Sequence, residues 1–154
     1  MQTTIDQIGE DRQLHFANTI VIRRPVGDVF GYLADFRNIP KWNYAIEDSR
    51  QSPGPTRVGT TIHQTRSLPS RSEETLQVTE FVPDRAITLD GTLGPFEGVM
   101  RYELEPTLEG TRLTNSADLR AGGLLGLAAP LASGRVSNAV AENLAVLKQL
   151  LESG

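Results

Sequence analysis

Between residues 44 and 120 the chain repeats one pattern six times: a short stretch alternating apolar and polar residues, then a turn signal. The stretches are 44–50, 58–67, 72–82, 85–93, 96–105 and 110–120. The breaks read "SPGP" at 52–55, "LPS" at 68–70, "PD" at 83–84, "LGP" at 93–95 and "EG" at 109–110. A period of two is the pleat of a strand with one face buried, and proline and glycine punctuate it. Connections this short cannot return a strand in parallel, which takes a dozen residues or more. The pattern therefore predicts an antiparallel meander. In 96–105, Phe96, Met100, Tyr102 and Leu104 face away from Glu97, Arg101 and Glu103; in 110–120, Leu113, Ala117 and Leu119 oppose Arg112, Thr114 and Asp118. One face is dry, and it needs a cover.

The flanks supply it. "RQLHFANTIVI" at 12–22 is a further half-buried strand, with Leu14, Phe16, Ile20 and Ile22 on one parity and Asn18 among them. "RRP" breaks it, and Pro25 is suited to open a helix, where its missing N–H costs little. Val26, Val29, Phe30 and Leu33 follow at helical spacing, and Pro40 keeps a second helix, "FRNIPKW", short. The chain closes in a long helical segment over 123–151, where Val136, Val140, Leu144, Leu147 and Leu151 form an apolar stripe. Its first part, "GGLLGLAAPLASG", is rich in small residues, and Pro130 predicts a kink or a fresh start there. Residues 1–11 read as a polar lead-in to a single domain over 12–152. The fold class is α+β: a curved seven-stranded antiparallel sheet wrapped on a long C-terminal helix, with two short helices after the first strand.

Composition removes several functions. With 15 basic against 19 acidic residues, a net charge of −4, the chain lacks the basic excess of a nucleic-acid binder. There is no cysteine, so thiol catalysis and cysteine-ligated metals are out. His15 and His63 share no metal-ligand spacing with each other or with carboxylates and read as surface residues, so no metal and no cofactor is expected. The N-terminus lacks a signal-peptide pattern, and no apolar run approaches the roughly 20 residues of a membrane span. A cytoplasmic chain without stable membrane insertion is the expectation.

Three stretches, "TIVIRRPVGDVFGYLADFRNIPKWN" at 19–43, "VTEFVPDRAITL" at 78–89 and the closing "NAVAENLAVLKQLLE", resemble the START-like superfamily, the helix-grip fold. Within it the chain is similar to the polyketide cyclase/dehydrase and lipid-transport family, through Ile22, Pro25, Val29, Phe30, Leu33, Asp35 and Trp42. The likeness covers about residues 14–152. It implies a deep cavity between sheet and long helix that holds an apolar or amphipathic small molecule. The small residues Gly122, Gly123, Gly126, Ala128, Ala129, Ala132 and Gly134 suit such a space. They also suit close helix–sheet packing, but a strongly curved sheet cannot meet a straight helix along its whole length, which favours the space.

The site expectations follow from strand parity together with the cavity that the resemblance implies. Trp42, Met100 and Tyr102 are candidate walls, Leu127 and Leu131 the helix side. Asn18, Gln64 and Asn115 fall on the dry parity, where a buried amide needs a partner, and serve as candidate polar handles. Binding or transport of a lipid, isoprenoid or polyketide-like molecule is the first reading. The second is a cofactor-independent cyclase, aromatase or dehydratase in the same cavity, with Tyr102, Glu80 and Arg66 as candidate catalytic groups. Glu80 shares the parity of Leu76 and Val78 and also sits in "V-x-E-x-x-P", where a structural hydrogen bond is the simpler account. The third is a protein-interaction or chaperone-partner module.

Overall fold

A computed structural model describes residues 3–8, 13–121 and 129–154, with side chains described for 13–121 and 134–154. After β1 (Thr3–Ile8) and β2 (Gln13–Ile22) come α1 (Val26–Ala34), a single 3₁₀ turn (Phe36–Asn38) and α2 (Ile39–Trp42). Six strands follow: β3 (Ile46–Gln51), β4 (Thr61–Arg66), β5 (Ser72–Val82), β6 (Ala86–Leu93), β7 (Phe96–Pro106) and β8 (Thr111–Arg120). The chain ends in α3 (Ala129–Ser153).

The strands form one antiparallel sheet in the order β1-β2-β8-β7-β6-β5-β4-β3. The meander over β3–β8 is the expected one, and β2 joins it by pairing with the last strand, Leu14 opposite Leu119 and Asn18 opposite Asn115. The seven strands expected are all present. An eighth lies in the segment read as a polar lead-in: Thr3–Ile8 pairs along β2, Thr3 opposite Asn18 and Ile8 opposite Gln13. Backbone hydrogen bonding to an open edge needs no apolar alternation, so the parity test passed over it.

The sheet bends where β6 and β7 pair glycine with glycine, Gly91 opposite Gly98. A Cβ on Gly98 would stand 2.0 Å from the Asp118 carbonyl oxygen, and one on Gly91 would stand 2.1 Å from that of Thr75. Neighbouring backbones press so close there that no side chain fits. The bend turns the dry face into a concave one.

Into that concavity go α1, α2 and the second half of α3. Leu144 and Leu147 are fully buried with Ile22, Val29, Ile62, Ile87 and Leu113. Phe30 of α1 meets Phe81 edge-on at 5.3 Å. The end of α3 is fastened to β2: Lys148 Nζ donates to the Val21 carbonyl at 2.6 Å, and the Arg23 N–H donates to Glu152 Oε2 at 2.8 Å. The Arg24 guanidinium donates to the Leu151 carbonyl at 2.5 Å, placing positive charge where the helix dipole is negative. As described, α3 runs from Ala129, so Pro130 is the second residue of the described helix. The run 122–128 before it, on which the expected kink or fresh start depends, lies outside the described residues.

Candidate functional site

Cross-strand register sorts the concave face into rows. One row runs Asn18, Asn115, Tyr102, Ile87 across β2, β8, β7 and β6; the next runs Phe16, Ala117, Met100, Leu89, Val78 and reaches β5. Trp42, at the end of α2, meets Tyr102 edge-on with ring centroids 6.5 Å apart. Both rings are buried. The Tyr102 hydroxyl donates to Met100 Sδ at 3.5 Å, a weak acceptor. Burial holds its phenol well above the ordinary tyrosine range. Trp42, Met100, Tyr102 and Asn115, four of the expected site residues, therefore adjoin.

The two asparagines differ. Asn18, fully buried, donates through Nδ2 to the Ser137 carbonyl at 3.2 Å and so ties β2 to α3. Asn115 donates to the Arg101 carbonyl at 3.3 Å, while its buried Oδ1 has no hydrogen-bond partner.

A second group gathers on β3, β4 and β5. Ser49, Gln64 and Glu74 form one row, and Ile46, Arg66 and Ser72 the next. The Glu74 carboxylate, with 1% of its side chain exposed, is held by donors only. Gln64 Nε2 reaches it at 2.8 Å and Arg66 Nε at 2.5 Å. The Gly94 N–H also donates to it, from the β6–β7 turn. Around this buried ion pair Gln64 Oε1, Ser49 Oγ and Ser72 Oγ are all buried and without partners. Each such atom costs about 1–3 kcal/mol if left without a partner, and the three lie on the adjacent strands β3, β4 and β5.

Between the two groups the face is apolar and only partly covered. Met100 and Leu93 of the sheet and Val136 and Val140 of α3 are partly buried, packed against Phe16, Phe96 and Ala117. These four apolar side chains keep some contact with solvent, unlike the fully enclosed Leu14, Phe16 and Ile22. Leu127 and the run 122–128 lie outside the described residues, and Leu131 is placed in α3 without a described side chain.

Glu80 is elsewhere. A bulge between Val78 and Glu80 puts two steps of β5 against one of β6, which reverses the alternation beyond it. Phe81 turns inward and Glu80 outward, where Arg101 Nε holds it at 2.9 Å and the Thr88 hydroxyl donates to it at 2.6 Å. The Arg101 hydrogen bond holds this carboxyl below the usual range. Glu80 thus borders a groove of about 480 Å³ on the convex face, lined also by Arg85, Arg101, Glu103, Glu105 and Arg112. That groove is polar and largely neutralised by its own pairs, Arg101 with Glu80 and Glu103 and Arg112 with Glu105. The inward expectation for Glu80 is corrected; Arg66 does lie on the inner side, paired with Glu74. His15 and His63 are exposed on the strands, bonded to Asp118 and Thr75.

Sequence reasoning missed Glu74, Ser49 and Ser72. The signal was available for Glu74, a charged residue sharing parity with Leu76 and Val78 in "SEETLQV". Among the described residues no group of three or more His, Cys, Asp or Glu side chains could hold a metal, and no helix is long and apolar enough to cross a membrane.

Comparison with known proteins agrees with the fold. The family model described as "Polyketide cyclase / dehydrase and lipid transport" matches residues 13–152. The fold is similar to that of the di-domain aromatase/cyclase StfQ from the steffimycin biosynthetic pathway, with a TM-score of 0.78 at 15% identity. That match covers 94% of this chain and 52% of the other, so the chain spans about half of the di-domain protein. It is also similar to the ZhuI aromatase/cyclase from Streptomyces sp. R1128, with a TM-score of 0.74 at 17% identity over 91% of this chain and 94% of that one. A third likeness is to protein NE0264 from Nitrosomonas europaea, with a TM-score of 0.71 at 17% identity over 90% and 94%. Among curated protein sequences none matches significantly.

Proposed function

The chain belongs to the polyketide cyclase / dehydrase and lipid transport family, and from that premise we propose that it binds a hydrophobic small molecule non-covalently between the concave face and α3. The ligand class is a lipid, isoprenoid or polyketide-like molecule. The observation that carries the reading is the partly covered apolar strip of Met100, Leu93, Val136 and Val140, bounded by buried polar atoms without partners. Apolar walls with a few convergent polar groups are what an apolar ligand with one polar end requires. Trp42 and Tyr102 form the floor, where Tyr102 stays neutral and serves as a donor. A cyclase in the same space would draw on the inward Tyr102 and the Arg66–Glu74 pair; Glu80, turned outward and engaged by Arg101, is not available to it.

Native mass spectrometry of the purified protein, followed by denaturing extraction, tests this. A bound apolar mass that is released on denaturation supports binding. A bare chain whose Trp42 fluorescence does not respond to any of a panel of apolar ligands overturns it.

A further inference from the structure

The oxygens left unpaired on β3, β4 and β5 constrain the ligand further than its apolarity does. The orientation of the Gln64 amide is settled by chemistry. Its neighbour Glu74 can only accept from Nε2, at 2.8 Å, so Oε1 must point the other way. That oxygen is an acceptor and nothing else, in a residue 4% exposed. Ser49 stands opposite Gln64 in register, and Ser72 opposite Arg66, each with a buried hydroxyl that nothing engages. The one cation of the group, Arg66, is already committed to Glu74 through Nε and Nη2.

Resting on the ligand-binding reading above, we propose that the polar end of the ligand is an uncharged hydrogen-bond donor, a hydroxyl, received by Gln64 Oε1 with the Ser49 and Ser72 hydroxyls beside it. A hydroxyl gives its one proton to Gln64 and can accept through its two lone pairs from both serines, so all three groups are satisfied. A carboxylate has no proton to give Gln64, finds the arginine engaged, and stands against Glu74. An ether accepts from the serines but leaves Gln64 unsatisfied. The site thus selects apolar alcohols and phenols over fatty acids and over the ethers made by capping those alcohols.

Isothermal titration with three probes of one chain length, decan-1-ol, 1-methoxydecane and decanoate at neutral pH, decides it. Decan-1-ol should bind about tenfold more tightly than the ether, the worth of one desolvated acceptor satisfied, and decanoate no better than the ether. In Gln64→Met, checked for an unchanged circular dichroism spectrum, decan-1-ol should weaken to the level of the ether while the ether is unmoved. The wild-type series stands without the variant. Equal binding of alcohol and ether, tightest binding of decanoate, or an alcohol preference that survives Gln64→Met each overturns the donor assignment while leaving apolar binding intact. Failure of all three probes to bind overturns the binding reading itself, and the inference with it.

Discussion

Glu152 shows how much of this fold's integrity can hang on one side chain. It sits in the last turn of α3 and receives the Lys148 ammonium at 2.7 Å, the Arg23 N–H at 2.8 Å and the Arg23 guanidinium at 3.4 Å. The Lys148 bond is the main cause that lowers its carboxyl to about 2; the Arg23 N–H adds to it. A carboxylate depressed in the folded state stabilises that state above its unfolded value, and the contribution fades as pH falls through the folded one. Glu152→Gln should therefore melt below the wild type at pH 7. The gap should persist down to about pH 4.5 and close between there and pH 2, as read by thermal melts across that range. A gap independent of pH would mean that the carboxylate acts by packing alone. The contrast with Glu80 marks what single residues disclose. Both are strand- or helix-end acids in the sequence, and neither the pairing of Glu152 with Arg23, 129 residues away, nor the outward turn of Glu80 is written in its neighbours.

Elements were legible because alternation is local. The six strands of the meander and the strand before them fall within a few residues of their expected bounds, since each buries one face and each break carries its own turn chemistry. Two departures were not local. The bulge at Thr79 depends on β6 setting one residue against two, so parity carried Glu80 to the wrong face. The edge strand β1 rests on backbone pairing to β2 and leaves no alternation to detect. The Gly91–Gly98 bend is similar, visible in sequence only as two glycines inside strand patterns. Its consequence can be tested against a control. Gly98→Ala places a methyl 2.0 Å from the Asp118 carbonyl oxygen, whereas the same change at Gly31, on the exposed side of α1, meets nothing within 4 Å. Gly98→Ala should lose about 1–3 kcal/mol of unfolding free energy through overpacking against backbone. Gly31→Ala should gain about 0.5–1 kcal/mol from helix propensity. Urea titrations of both variants check the pair, and an innocuous Gly98→Ala would show that the sheet can open there without loss.

At the scale of the molecule the two halves of the long helix meet different surroundings. Leu144 and Leu147, fully buried, close the core against α1 and the sheet. Val136 and Val140, toward the N-terminal end of the described stripe, stay partly buried, as do Met100 and Leu93 of the sheet, all against the cluster of Leu14, Phe16, Phe96 and Ala117. The sequence shows one continuous stripe, because valine and leucine at helical spacing look alike whether they meet a packed wall or a ligand. If one end is for stability and the other for binding, substitutions should separate the two. Leu147→Ala, which empties a fully enclosed position, should cost about 2–5 kcal/mol. Val136→Ala removes fewer methyl groups from a position already in contact with solvent and should cost less than half of that. It should nonetheless weaken the binding of decan-1-ol, an effect that Leu147→Ala, measured well below its own melting temperature, should not share. Urea unfolding gives the first comparison and titration calorimetry the second. Equal stability losses at the two positions would mean that the sheet closes on the helix along its whole length, leaving no room for a ligand between them.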